Sequence, residues 1–281
     1  MQRISSTTDS KSTLRPTLST CTHREPMADE NEAVTPPRNR AVEFTIRGKW
    51  AHFGRIDTTT VKQSYRIIPP TTAMGLVAAL LGYSRDSYYD AFSKQNAAFS
   101  IIVDSPIDPF QLAKLDLSTA GEDFESGRGK GVLRNFISRE STLGDRQQRL
   151  YEYLRDPSYR IFVSLNDDEV HNDLVDRLAA KKFAYTPCLG RSECVAHVPE
   201  WDVHELEPTT VESVDSTAPI DTAKATSSVS VERTPQRFTT AKHSRKPTSF
   251  VSYAFSKAGE QVSVLPSTEA YTTGDDALLF V

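Results

Sequence analysis

Lys49, Trp50, His52, Arg55 and Lys62 all fall within Gly48–Tyr65. Cations interleaved with aromatic rings suit single-stranded nucleic acid. Arg and Lys neutralise phosphate, and ring faces stack on bases. The same stretch also reads as a loop whose Trp50 and Phe53 fill the edge of a core, and the two readings are compatible. A second basic set, Arg134, Arg139, Arg146 and Arg149, lies in VLRNFISRESTLGDRQQRLYEYL, Val132 to Leu154. Other chemistries lack their residues. There is no Ser-His-Asp order, no His-Glu-x-x-His run and no paired-Asp motif for two metals. GRGKG at Gly127–Gly131 lacks both the Gly-Lys-Ser/Thr ending and the preceding buried strand of a phosphate loop. Cys188 and Cys194 do not have zinc-knuckle spacing, so no metal or cofactor is expected. His52 and His171 read as structural or RNA-contacting rather than catalytic.

These side chains need elements to hold them. The chain is organised around IIPPTTAMGLVAALLG, Ile67 to Gly82. The two prolines mark a boundary, and Thr71 or Thr72 can cap a new helix. Met74, Val77, Ala78 and Leu81 recur on one apolar face, and Gly82 sits where a left-handed C-cap is wanted. Gly75, inside the helix, costs about 1 kcal/mol against alanine, which suggests close approach of a strand or other backbone. Upstream, Val42, Phe44 and Ile46 alternate with Glu43, Thr45 and Arg47, as in a half-buried strand. Downstream, a short helix is predicted around Ser87–Ser93, with strands at Phe99–Val103 and Phe110–Leu117. Val132–Leu154 fits a long hairpin turning at Gly144-Asp145, or an ordinary edge hairpin whose charges discourage aggregation. Tyr159–Leu165 reads as a strand. Asn166 or Asp167 caps a helix from Asp168 to about Lys181, with Val170, Leu174, Val175 and Leu178 on its apolar face. A strand over Val195–Val203 breaks at Pro199.

The order strand, helix, strand, excursion, strand, helix, strand is the split βαβ plan shared by RRM-like RNA binders. The fold class is therefore α+β: a ferredoxin-like domain with a long β-hairpin thumb and a small β-rich C-terminal module. Residues 1–39 are polar and aperiodic and read as a disordered extension. The RNA-binding domain spans 40–206, with the excursion at about 120–158. Residues 207–247 read as a flexible insertion. Residues 248–281 form the β-rich segment, with Phe250–Ser256 and Gln261–Leu265 paired around Gly259.

Composition agrees with a chain that is only partly packed. Of 281 residues, 38% are hydrophobic, and mean hydropathy is −0.44. No apolar run reaches the roughly 18 residues of a membrane span, and no apolar h-region marks a secretory signal. Three cysteines do not make a disulfide framework, which suits a reduced cytoplasmic compartment. The net charge of −4 argues against nucleic acid until its distribution is considered. Residues 40–70 carry six Lys/Arg against two Asp/Glu, whereas 200–221 carry seven acids and no Lys or Arg. Affinity follows the local field, although a mixed solvated surface reads equally well from charge alone.

Three motifs resemble a known family. They are Phe44–Gly48 with Ala51-His52-Phe53, Pro69–Leu76 (PPTTAMGL), and Tyr185–Cys194 (YTPCLGRSEC). In this order they resemble the RAMP-type CRISPR-associated proteins, most closely the "Cas five" family, over roughly residues 40 to 200. That resemblance implies an RNA-binding structural subunit of a type I (I-B) Cascade surveillance complex in antiviral defence. Such a subunit holds the 5′ handle of CRISPR RNA and contacts backbone and large subunits. It meets target DNA only indirectly and meets no membrane. The Val132–Leu154 hairpin resembles the thumb that family members insert beside the handle, and Arg191 in the GRSE loop joins the RNA-binding candidates. One branch of the family cuts repeat RNA without metal by activating the ribose 2′-OH. Tyr65, His52 and Lys62 supply residue types for a base, an acid and a cation, so endoribonuclease is the alternative. An unrelated ferredoxin-like binding module is the third reading.

Overall fold

A computed structural model describes residues 28–29, 31–55, 61–117, 146–226, 228–238 and 247–281. Five principal strands precede or flank the helices: β1 (Arg40–Gly48), β2 (Ala97–Val103), β3 (Asp108–Leu117), β4 (Arg146–Arg155) and β5 (Ser158–Leu165). Five follow: β6 (Trp201–Glu205), β7 (Glu207–Val214), β8 (Val229–Phe238), β9 (Pro247–Ser256) and β10 (Val262–Thr272). The helices are α1 (Pro70–Leu81) and α2 (Asp168–Ala180), and several two-residue strands complete the sheets. The architecture is α+β and mostly β.

The first sheet places β5 antiparallel between β1 and β2. The outer edge of β1 takes Ala196–His197 and then β6, with the expected break at Pro199 between them. Val42, Phe44 and Ile46 join α1 in the main core. Thr45 and Ala41 are buried too, where a half-buried strand was expected. The reason is a second apolar layer, in which Ala41 and Phe162 meet Leu278 and Phe280 from the chain's end. Val281 exchanges backbone hydrogen bonds with Phe99 of β2 at 2.9 and 3.0 Å.

α1 is buried nearly all round, from Pro70 to Leu81. Its N-cap is Pro69, with Pro70 at the first turn and no side-chain cap. The expected threonine cap is absent because the Thr71 hydroxyl donates instead to the Pro235 carbonyl of β8 at 3.3 Å. Gly82 does take the left-handed cap, at φ 86°. Gly75 faces a side chain rather than backbone, for a Cβ there would lie 3.1 Å from the Tyr88 hydroxyl. The region around Ser87–Ser93 forms turns, not a helix. In α2 the Asp167 carboxylate caps Glu169 and Val170 at 2.8 and 3.3 Å, and Leu174 and Leu178 are buried.

β3 and β4 form a ribbon, paired from Asp108↔Arg155 to Leu117↔Arg146. Residues 146–155, expected as the second half of a hairpin about Gly144-Asp145, pair with 108–117, and Gly144-Asp145 itself lies outside the described residues. The other edge of β4 pairs with Trp50-Ala51 and, in parallel, with Val61-Lys62. Both edges of residues 150–155 are thereby occupied. Residues 118–145, with Arg134 and Arg139, lie outside the described residues.

Residues 207–238, expected within a flexible insertion, carry β7 and β8. β7 pairs with β10, and β8 with β9. Phe250–Ser256 and Gln261–Leu265 therefore do not pair as one hairpin: β9 and β10 lie in different sheets. The turn between them does use Gly259, at φ 78°. The end of the N-terminal extension is also packed. Ala28–Asp29 pair with Ser249–Phe250, and Val34 donates to Phe280 at 2.8 Å. Arg160 ties the first sheet to the C-terminal strands. Its Nε donates to Glu43 at 2.6 Å, and its two terminal amines donate to Asp276 at 2.9 and 2.6 Å.

Candidate nucleic-acid interface

The three sequence motifs converge on one open groove of about 450 Å³. His52 and Phe53 line it from the first motif, with Gly54 just after it, Thr71, Thr72, Gly75 and Leu76 from the second, and Cys188, Gly190 and Arg191 from the third. Tyr88, Tyr89 and Phe238 add an aromatic wall, with ring contacts of 4.8 Å between Tyr88 and Tyr89 and 6.1 Å between Tyr89 and Phe238. Gly190 explains how the third motif reaches the first. Its φ is 89°, and a Cβ there would stand 2.1 Å from the His52 carbonyl oxygen. Only glycine permits both the conformation and the approach. The Leu189 carbonyl accepts from His52 N at 3.1 Å and closes the junction.

Beside the groove a row of rings runs along the ribbon. Trp50 lies 6.1 Å from both Phe110 and Tyr153, Tyr153 lies 6.3 Å from Tyr151, and His52 lies 5.5 Å from Tyr151. Cations cover the row: Lys49 over Trp50, Arg155 over Phe110, and both Lys114 and Arg191 over Tyr151. Antiparallel partners share a face, so Phe110 opposite Tyr153 and Leu112 opposite Tyr151 put these rings on one side of the ribbon. Glu193 sits among the cations. Its Oε1 accepts from Lys114 Nζ, from Arg191 Nε at 2.7 Å and from the Tyr153 hydroxyl at 3.3 Å. Burial opposes its charge, but Lys114 and Arg191 hold its carboxyl down at about 2. Burial, with the Glu193 charge, pushes the Tyr153 phenol up to about 12.

The predicted residues divide. Lys49 and Trp50 are exposed, Trp50 at 36%, while Phe53 is buried at 2%. Trp50 is therefore at the surface, beside Phe110 and Tyr153, and Phe53 is in the core. His52 is buried with its Nδ1 donating to the Glu152 carbonyl at 2.6 Å. Burial, aided by the Arg191 charge, lowers its pKa. Lys62 is half-buried beside Tyr151 in the sheet, and Arg149 is opposite Lys114. The Arg146 backbone pairs with Leu117. Arg55 turns away from the row: it lies over the Tyr65 ring and 3.5 Å from Glu232. Tyr65 is buried, and neither it nor Lys62 lines the groove with His52. Tyr151, Tyr153, Phe110, Lys114 and Glu193 were missed. The Tyr151-x-Tyr153 alternation was a signal for one face, but only the pairing with 108–117 shows which cations join it.

The profile of the CRISPR-associated protein (Cas_Cas5) family matches residues 41–251. The chain belongs to that family. The match covers all three motifs and the ribbon, so in this Cas_Cas5 member the groove and ring row both lie in the family region. No curated protein matches the chain. Among solved structures, the chain is similar to one described as a CRISPR protein from Archaeoglobus fulgidus. That likeness has 14% identity and a TM-score of 0.48, and covers 85% of this chain and 98% of the other. It is also similar to a chain of a structure described as a CRISPR RNA-guided surveillance complex. There the identity is 15% and the TM-score 0.44, covering 82% of this chain and 92% of the other. Among the described residues no helix is long and apolar enough to cross a membrane, and no group of ligating side chains could hold a metal ion.

Proposed function

We propose that the chain is an RNA-binding structural subunit of a type I Cascade complex and holds the 5′ handle of CRISPR RNA. Its domain is read as ferredoxin-like, because β1 and β2 flank an antiparallel β5 with β6 outermost, as in the split βαβ plan. Its partners are the CRISPR RNA and the neighbouring backbone and large subunits. The observation that carries the reading is the convergence of the three motifs on one groove beside the cation-covered rings. Trp50, 36% exposed, offers a ring for sequence-tolerant stacking, whereas the buried Tyr151 supports Lys114 and Arg191 rather than stacking on a base. Those cations suit phosphate, which fits a single-stranded RNA end. No catalytic role is assigned. The buried Tyr65 and the lowered His52 do not supply an exposed acid–base pair. Purified protein incubated with repeat RNA in chelator should bind it without cutting it. Cleavage at one defined position would replace this reading with the metal-independent endoribonuclease, and absence of any RNA affinity would overturn the RNA-binding role.

A further inference from the structure

The GRSE turn holds Arg191 from two directions. Its backbone is fixed, since Leu189 N donates to the Cys194 carbonyl at 2.8 Å and Cys194 N donates to the Arg191 carbonyl at 2.9 Å. Gly190, lodged on the His52 carbonyl, sets where the turn begins. The side chain is fixed by Glu193 and Tyr151. Nε bonds to Glu193 at 2.7 Å, and the guanidinium carbon stands 4.9 Å from the Tyr151 ring centroid. Lys114 shares the same carboxylate oxygen and the same ring. A guanidinium has five N–H donors in a planar fork. Glu193 takes the one on Nε. Among the described residues no hydrogen bond is made by the terminal amines of Arg191, and the residue lines the groove.

We infer that Glu193 is a positioning residue: by holding Arg191 and Lys114 against Tyr151, its carboxylate aims the free edge of the Arg191 fork at one backbone phosphodiester of single-stranded RNA in the groove. The inference rests on the RNA-binding reading above. Two cations beside one carboxylate leave the spot net positive, so an anion is still drawn in. A planar fork matches a phosphate with two parallel hydrogen bonds, and a side chain already ordered loses less freedom on binding. Glu193 does not compete for that edge, because it lies on the Nε side. Lys114 and Arg191 keep it ionised with a pKa of about 2, so it stays in place across physiological pH.

The test uses the intact protein and fluorescein-labelled single-stranded repeat RNA, both all-phosphate and with single methylphosphonate linkages that remove one charge at a time. In the wild type, neutralising one linkage should weaken binding by about ten-fold, the size of one charge-assisted contact. Glu193→Gln should weaken binding of the all-phosphate RNA by roughly five- to ten-fold and abolish that linkage's special penalty. Arg191→Lys, which keeps the charge but loses the fork, should abolish it too. Glu193→Gln added to Arg191→Ala should cost nothing further. A role confined to stability would lower binding at every linkage alike and would overturn the inference. So would Glu193→Gln binding as tightly as wild type or tighter, the result expected of a competitor for phosphate. If the wild-type protein binds no repeat RNA, the RNA-binding reading falls and this inference with it. If wild type binds and the Gln variant is not weakened, only the inference falls.

Discussion

Arg160 and Arg191 are both held by carboxylates and lie over aromatic rings, yet the two regions differ in what remains of the guanidinium. Arg160 uses Nε on Glu43 and both terminal amines on Asp276, whose side chains are each only 12% exposed. All three of its nitrogens donate within the protein, and it joins β5 to the C-terminal strands. Arg191 has one carboxylate on Nε, and the residue lines a groove. The difference separates an arginine whose three nitrogens all donate within the fold from one whose terminal amines make no hydrogen bond among the described residues. Counting salt bridges alone would not tell them apart.

The comparison can be broken or sharpened by substitution. Arg160→Ala leaves Glu43 and Asp276 without their shared cation, so unfolding free energy should fall by about 3 kcal/mol. Thermal and chemical denaturation read this, and a change under 1 kcal/mol would mean that the cluster does not close the fold. Gly190→Ala should cost on the order of 2 kcal/mol through the left-handed backbone and the clash with His52, and should displace Arg191. A melting curve and RNA titration like those of wild type would show that the turn is not fixed as described. Lys49→Ala with Lys62→Ala should lower the slope of log K against log salt by about 0.7 per lost phosphate contact. Arg55→Ala should act on stability instead, because its partner is Glu232. An Arg55 effect confined to the salt slope would place Arg55 back in the interface. The smallest effect concerns pH. The Glu193 carboxyl is depressed in the fold to about 2, so its contribution is complete above the ordinary carboxylate range and is lost as pH falls towards 2. The melting-temperature gap between wild type and Glu193→Gln should shrink over that acidic window and stay constant above it. A gap that widens on acidification would reverse the sign argued here.

What was legible in the sequence was local. The α1 periodicity with Gly82 at its end, the Asp167 cap of α2 and the Pro199 break are each fixed by neighbours a few residues away, and the structure has all three. The strands of 207–238 were hidden because their composition is that of a linker. β7 is EPTTVESV, with only Val214 buried, and β8 contains Pro235. Pairing with β10 and β9 overrides weak propensity there. The anchoring of Asn31 and Val34 was missed for the same reason: they act through distant partners, Ser252 and Phe280. At the interface, the basic and aromatic types were visible, but facing was not. Whether Arg55 points to Glu232 or to solvent depends on a strand that begins far downstream.

The C-terminal strands are nested. β8 and β9 are separated by eight residues, 239–246, whereas β7 and β10 pair around both of them. Closing the outer pair first would fix a loop of tens of residues with nothing inside it, so its entropic cost is greater. Once β8 and β9 have met, the chain between β7 and β10 is already short-circuited, and the outer pair can zip. Order of assembly is thus written into the topology. Substitutions across β8 and β9 should slow refolding, while those across β7 and β10 should mainly hasten unfolding.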